Sequence, residues 1–219
     1  MQPSLRRAPL VTEICDRLLR EHRKTEWLPG ERTLSERLGV SRSALREAVQ
    51  RLEIQGLLEV RHGIGMRVIN NPQAPVGATL ERELPDLAER VRQFSEVRRL
   101  VEPEIACRAA ERISGDQRQV LLEVHARMRG ASGLDASVEA DLEFHRTLAD
   151  IAGNRVLALM LASMAGLEQE SRRITLLGVG LAPAYVQHDR IARAVVAGDG
   201  PGARQAMIDH VHAAQLAAR

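Results

Sequence analysis

Residues 28–69 read LPGERTLSERLGVSRSALREAVQRLEIQGLLEVRHGIGMRVI, and this stretch decides the fold of the first part of the chain. Thr33-Leu-Ser-Glu36 has the form of a capping box, in which a hydroxyl and a carboxylate reciprocally satisfy backbone donors at a helix start. Leu34 and Leu38 give that helix a buried side, and Gly39 ends it, because glycine takes the left-handed position without steric cost. Ser41 then caps a second helix, about 41–54, whose apolar positions Ala44, Leu45, Ala48, Val49 and Leu52 keep helical spacing. Arg42, Arg46 and Gln50 fall four residues apart on another face, beside Ser43. Long hydrogen-bonding side chains on one helix face suit base edges and phosphates in a major groove.

Gly56 closes the second helix. Leu57–Val60 and Met66–Ile69 read as short strands joined by the hairpin Arg61-His-Gly-Ile-Gly65, whose glycines allow positive φ. A helix-turn-helix followed by such a ribbon is a winged helix. The stretch resembles the DNA-binding domain of the GntR family of bacterial transcription regulators. The matching residues are Leu28-Pro-Gly-Glu-Arg32, the Leu38-Gly-Val-Ser-Arg42 turn, Leu45-Arg-Glu-Ala48 and Leu52-Glu-x-x-Gly-Leu57. The resemblance implies that Arg32, Ser41, Arg42, Ser43 and Arg46 contact double-stranded operator DNA, with His62 and Gly63 of the wing reaching the minor groove. Ser43 and Ala44 depart from the commoner family pattern, which bears on the operator sequence.

The whole chain has 219 residues, enough for two modest domains. Aromatic residues make up only 2%, which argues against a stacking platform for single strands. Residues 1–70 hold 13 basic and 9 acidic residues, whereas the remainder holds 18 and 20, so the positive half is the one with the winged-helix pattern. Cys15 and Cys107 lie far apart and form no C-x-x-C motif. No apolar run reaches membrane-spanning length, and a reducing cytoplasm is expected.

The sequence predicts a mainly α protein. Residues 8–24 form an amphipathic helix that completes the first domain, with Leu10, Val11, Ile14, Leu18 and Leu19 inward and Arg6 and Arg7 as a preceding arm. The winged helix-turn-helix covers 1–70. Asn70-Asn-Pro-Gln-Ala-Pro-Val-Gly77 breaks periodicity and marks a linker, 71–78. Residues 79–219 form an antiparallel bundle of six or seven helices. These cover 79–112, with an interruption at Pro85 and a kink at Pro103, then 114–130 behind the capping box Ser114-x-x-Gln117, and 135–152, closed by Gly153-Asn154. The last three cover 155–177, 183–197 and 201–217.

Three of these helices aim a histidine inward. Val138, Leu142, His145 and Ala149 share one stripe, with Asp141 one turn before His145; Tyr185, His188, Ala192 and Val195 share another; Ala203, Met207, His210 and Ala214 a third. Any one such histidine is equally read as a hydrogen-bonded core residue. Together, a buried carboxylate and three imidazoles suit a divalent metal, and the ligand set admits Zn, Ni, Mn or Fe(II). His125 and His212 do not sit as clearly on a stripe and are left out of the set.

Residues 94–215 resemble the FCD ligand-binding domain of the FadR subgroup of GntR regulators. The matching pieces are Glu96-Val-Arg98 followed by Glu102, Asp141-x-x-x-His145, Gly153-Asn154, and His188-x-x-Ile191 leading through Gly198-Asp199 to Met207-x-x-His210. The resemblance implies that Asp141, His145, His188 and His210 bind metal, Zn first among the candidates. It also implies a small carboxylate effector contacted by Arg98 and Asn154. Arg98 is alternatively a surface ion pair with Glu102, and Asn154 a purely structural helix terminus. The whole then reads as a homodimeric regulator, a repressor, on palindromic DNA, and not an enzyme. The rivals are a metal-dependent hydrolase-like enzyme and a regulator whose metal is structural.

Overall fold

The computed structural model describes residues 4–22, 27–61, 63–69 and 74–217. Ser41 caps a helix as its position predicts: its Oγ accepts from the Ala44 amide at 3.2 Å. The helix is α3, Arg42–Ile54, preceded by α1, Ser4–Glu21, and α2, Glu31–Leu38. Gly39 has φ +67°, and the Val40 and Gly39 amides turn back to the carbonyls of Ser35 and Glu36. Gly56, at φ +66°, ends α3 with the same pattern, its amide donating to Glu53 and that of Leu57 to Leu52. The Gly39 stop and the Ser41 cap set the short turn between α2 and α3. β1, Leu58–Arg61, then pairs antiparallel with β2, Gly65–Val68, in the register Leu58↔Val68 and Arg61↔Gly65. Leu28 and Trp27 join the outer side of the ribbon, through Leu28 N–H donating to Met66 O and a bridge from Trp27 to Arg67.

The core of this unit is Val11, Ile14 and Leu18 of α1 against Leu34, Leu45, Leu52 and the ribbon residues Leu58, Met66 and Val68. Three local expectations change. Helix α2 begins at Glu31 with Gly30 before it, so Thr33 lies inside the first turn, and the expected Thr33–Glu36 capping box does not start the helix. Leu10 is 40% exposed, and Cys15 takes the inward place instead. Helix α1 starts at Ser4, so Arg6 and Arg7 belong to it rather than to an arm.

The chain divides between Val76 and Gly77 into two units. Helix α4, Ala74–Glu83, crosses that division and begins inside the segment read as linker; Pro75 sits in its first turn, where a missing N–H costs nothing. Residues 70–73 lie outside the described residues. Among the described residues seven helices follow: α5 Leu87–Arg112, α6 Gly115–Gly130, α7 Leu134–Ile151, α8 Arg155–Ala162, α9 Ala165–Val179, α10 Leu181–Ala197 and α11 Gly200–Ala217. Pro103 lies within α5 without ending it. The Ser114–Gln117 capping box forms in full. The single helix expected over 155–177 is two, broken at Ser163–Met164. Ile105, Phe144, Leu148, Ile191, Val195, Met207 and Val211 form the centre of the bundle, holding α5, α7, α10 and α11 together.

Candidate functional site

One turn of α7 places Asp141 and His145 on the same inward face. His188 comes from α10 and His210 from α11, and all four side chains are at most 3% exposed. One ligand atom from each lies within 4.8 Å of every other. The three imidazoles share a pattern. Nδ1 of His145 faces Glu102 Oε2 at 3.2 Å, Nδ1 of His188 donates to the Ala184 carbonyl at 2.7 Å, and Nδ1 of His210 donates to Gln187 Oε1 at 3.0 Å. Each ring therefore has its outer nitrogen held by an oxygen and turns Nε2 toward the others. That arrangement fixes the tautomer needed by a metal ligand.

Left to themselves the inner atoms are badly matched. His188 Nε2 lies 2.7 Å from Asp141 Oδ2 and 3.2 Å from His145 Nε2. With Nδ1 carrying the proton, these are lone pairs facing lone pairs. His210 Nε2 is buried without any hydrogen-bond partner, and Asp141 Oδ2 makes no well-aligned bond despite its short contacts. A cation resolves all of these contacts together, and the donor set of three nitrogens and one oxygen fits a divalent transition metal. Without a metal the cluster must hold protons instead. Burial opposes charge on His145, but Glu102 and Asp141 overcome it and push its pKa up to about 10. Burial, and then the neighbouring His188 and His145, hold His210 well below the ordinary histidine range. Burial would raise Asp141, yet His188 and His145 bring it well below the usual carboxylate value.

Behind the cluster runs a buried ionic network. Arg98 is 1% exposed, so its pairing with Glu102 is an interior contact and not a surface one. Its Nε donates to Glu102 Oε1 at 2.8 Å and its Nη1 to Ser171 Oγ at 3.1 Å, while Nη2 lacks a partner. Arg172 of α9 donates from Nη2 to the same Glu102 oxygen at 2.8 Å and places Nε 3.2 Å from Asp141 Oδ1; its Nη1 is also without a partner. Glu168 lies 3.7 Å from Arg172, and burial, reinforced by the charge of Glu102, raises its pKa to about 7. Glu102 thus joins two guanidiniums to the His145 imidazole. Arg172, Ser171 and Glu168 were not singled out in the sequence; the only trace is their helical spacing on α9.

The other expected effector contact is not brought to the cluster. Asn154 Oδ1 accepts from the Val156 and Leu157 amides and caps α8, lining neither the metal cluster nor the cavity beside it. Its side chain is committed to backbone donors that α8 cannot satisfy internally. His125 is buried after all, but it stacks on Tyr185 at a centroid separation of 4.8 Å and stays outside the ligand set.

In the first unit the apolar side of α3 is buried, and Arg42, Ser43, Arg46 and Gln50 stand exposed together. Ser41 Oγ and Ser43 Oγ are 3.1 Å apart. Arg46 is 67% exposed along its side chain, so it is available to a ligand, and Glu31 of α2 accepts from its Nε at 2.7 Å. Arg32 is exposed on α2 and Gly63 at the wing tip, whereas His62 lies outside the described residues.

Comparison with known proteins fits both units. Residues 10–68 match the family described as bacterial regulatory proteins, gntR family, and residues 93–213 match the FCD domain. The transcriptional regulator LutR of Bacillus subtilis is 32% identical over 206 residues, covering 85% of this chain and 90% of that protein. This chain belongs to the gntR family. It is a DNA-binding transcription regulator carrying an FCD domain. A protein named the transcriptional repressor NanR, from Salmonella newport, is 31% identical over 70% of the chain and 64% of its own length. A solved GntR structure from Streptococcus agalactiae is similar, with a TM-score of 0.68 and 29% identity over 94% of this chain and 99% of that one. No helix among the described residues is long and apolar enough to cross a membrane.

Proposed function

We propose that this GntR regulator, of the FadR subgroup, is a cytoplasmic homodimeric repressor whose hold on palindromic operator DNA is set by a small carboxylate effector. The carrying observation is the set of three inward Nε2 atoms around Asp141, each with its outer nitrogen anchored. Asp141, His145, His188 and His210 would hold the metal, Zn first. When bound, it supplies a Lewis-acidic point for the carboxylate.

Charge supports the anionic effector. Two guanidiniums, Arg98 and Arg172, face the two carboxylates Glu102 and Asp141, whose pKa values are lowered. Those four charges balance, so a divalent cation leaves the buried site positive, and an entering carboxylate offsets part of that charge. The partnerless Nη2 of Arg98 keeps it a contact for that anion, whereas Asn154 acts as a helix cap. The reading heads are Ser41, Arg42, Ser43 and Arg46 on α3 with Arg32 on α2; Gly63 and His62 of the wing reach the minor groove. In a two-fold dimer such heads meet half-sites roughly 34–36 Å apart or a multiple of that. NanR's name makes it a repressor, which supports repression for this relative of it.

Operator titration tests the proposal. Metal-loaded protein should bind operator tightly and lose affinity by about 5- to 150-fold with a cognate acid. His210→Ala should bind operator and ignore the acid. An affinity that no carboxylate changes in metal-loaded protein would refute it. Turnover that disappears in His188→Ala would favour an enzyme instead, and metal removal that lowers the stability of the bundle while leaving the acid response intact would favour a structural metal.

A further inference from the structure

Resting on that effector reading, we infer that the ligand is a monocarboxylate carrying an unsubstituted apolar tail rather than a hydroxylated acid. Asp141 and His188 line the inner end of a cavity of about 460 Å³ that runs between α6, α7, α9 and the first turns of α10. Beyond those two residues its wall is mostly apolar, with Met128, Leu176, Leu181, Ala184 and Val186. Polar side chains there are confined to Ser137, Tyr185 and Arg129, and the Ser137 hydroxyl already donates to the Gly133 carbonyl at 2.8 Å. A chain of hydroxyls entering this wall would exchange water for too few partners, and a buried unpaired hydroxyl is costly.

Size points the same way. At roughly 30 Å³ for each water-sized group, the cavity holds about fifteen such groups. An acid of two or three carbons would leave most of it to water. The mouth carries a further sign: Leu181 and Val186 remain 43% and 51% exposed, the kind of apolar surface that an entering tail covers. A carboxylate at the Asp141–His188 end therefore places the tail along Leu176 and Ala184 toward Leu181.

Calorimetry on metal-loaded full-length protein tests this with acetate, butyrate, hexanoate, octanoate and gluconate. Each added methylene should tighten binding about fourfold until the cavity is filled, and hexanoate should bind at least tenfold tighter than gluconate, which has the same carbon count. Ala182 lines the cavity at an exposed position, so Ala182→Phe should fold normally and shorten the usable tail. It should weaken octanoate more than tenfold and leave acetate unchanged. A flat series with measurable acetate binding, or gluconate binding as tightly as hexanoate, overturns the inference while leaving a carboxylate-responsive regulator standing. No binding by any acid, acetate included, overturns both.

Discussion

Replacing Glu102 by glutamine should damage the bundle more than any other single isosteric change. Its Oε1 accepts from Arg98 Nε and Arg172 Nη2, both at 2.8 Å, and its Oε2 faces His145 Nδ1 at 3.2 Å. All of these groups are within 3% of complete burial. Glutamine keeps the shape but leaves two buried guanidiniums without their shared counter-charge. Breaking a buried pair from one side costs about 3–5 kcal/mol, about a fifth or more of the 5–15 kcal/mol typical of a domain. The same change removes the oxygen that orients His145, and losses of this kind lower metal affinity about 10- to 100-fold. Urea denaturation of metal-stripped protein gives the first quantity and competition with a chromophoric chelator the second. A loss below about 1 kcal/mol with unchanged metal affinity would refute the reasoning, because Arg98 and Arg172 would then be compensated by something other than Glu102.

Glu168 offers a test of sign: its pKa of about 7 lies above the ordinary glutamate value, so the folded state holds a proton that the unfolded chain releases. Stability of metal-stripped protein should be fully present below about pH 4.5 on this account and fall by up to about 3 kcal/mol as pH rises to 7. Glu168→Gln should flatten that fall, seen as a larger gain in midpoint at pH 8 than at pH 5. Gly39→Ala should cost the first unit about 1–2 kcal/mol, since φ is +67° while open space surrounds the would-be Cβ; strain alone then sets the loss, measured by denaturant midpoint. Arg46→Ala should leave the circular dichroism spectrum intact, because its tie to Glu31 is exposed and worth about 1 kcal/mol at most. It should weaken operator binding and, if the contact is to phosphate, reduce the salt slope by about 1.

The reading head was legible because its signals are local. Gly39, Ser41 and Gly56 each act within a few residues, and their backbone geometry matches what glycine and serine do best at those places. The meeting of Asp141, His145, His188 and His210 was legible for a related reason: each lies on an apolar stripe where an ordinary polar side chain has no place, and α7, α10 and α11 bury those stripes against one another. The ionic network was not. Arg98 and Glu102 are one turn apart, as on countless exposed helices, and nothing in α5 alone says that Arg172, some seventy residues later, meets the same carboxylate. Asn154 sits where one helix ends and the next begins, and its side chain caps α8. The Thr33–Glu36 pattern misled: the motif is present, but the helix starts at Glu31, directly after Gly30.

The claim that binds these parts together is thermodynamic coupling between an acid in the bundle and DNA on α3. The most direct measurement is the dissociation constant of one effective acid for metal-loaded protein, taken free and then saturated with operator. Coupling is reciprocal, so the acid should bind operator-loaded protein more weakly by the same factor by which it weakens operator binding. Equal constants in the two states, with operator affinity unchanged by the acid, would contradict the account.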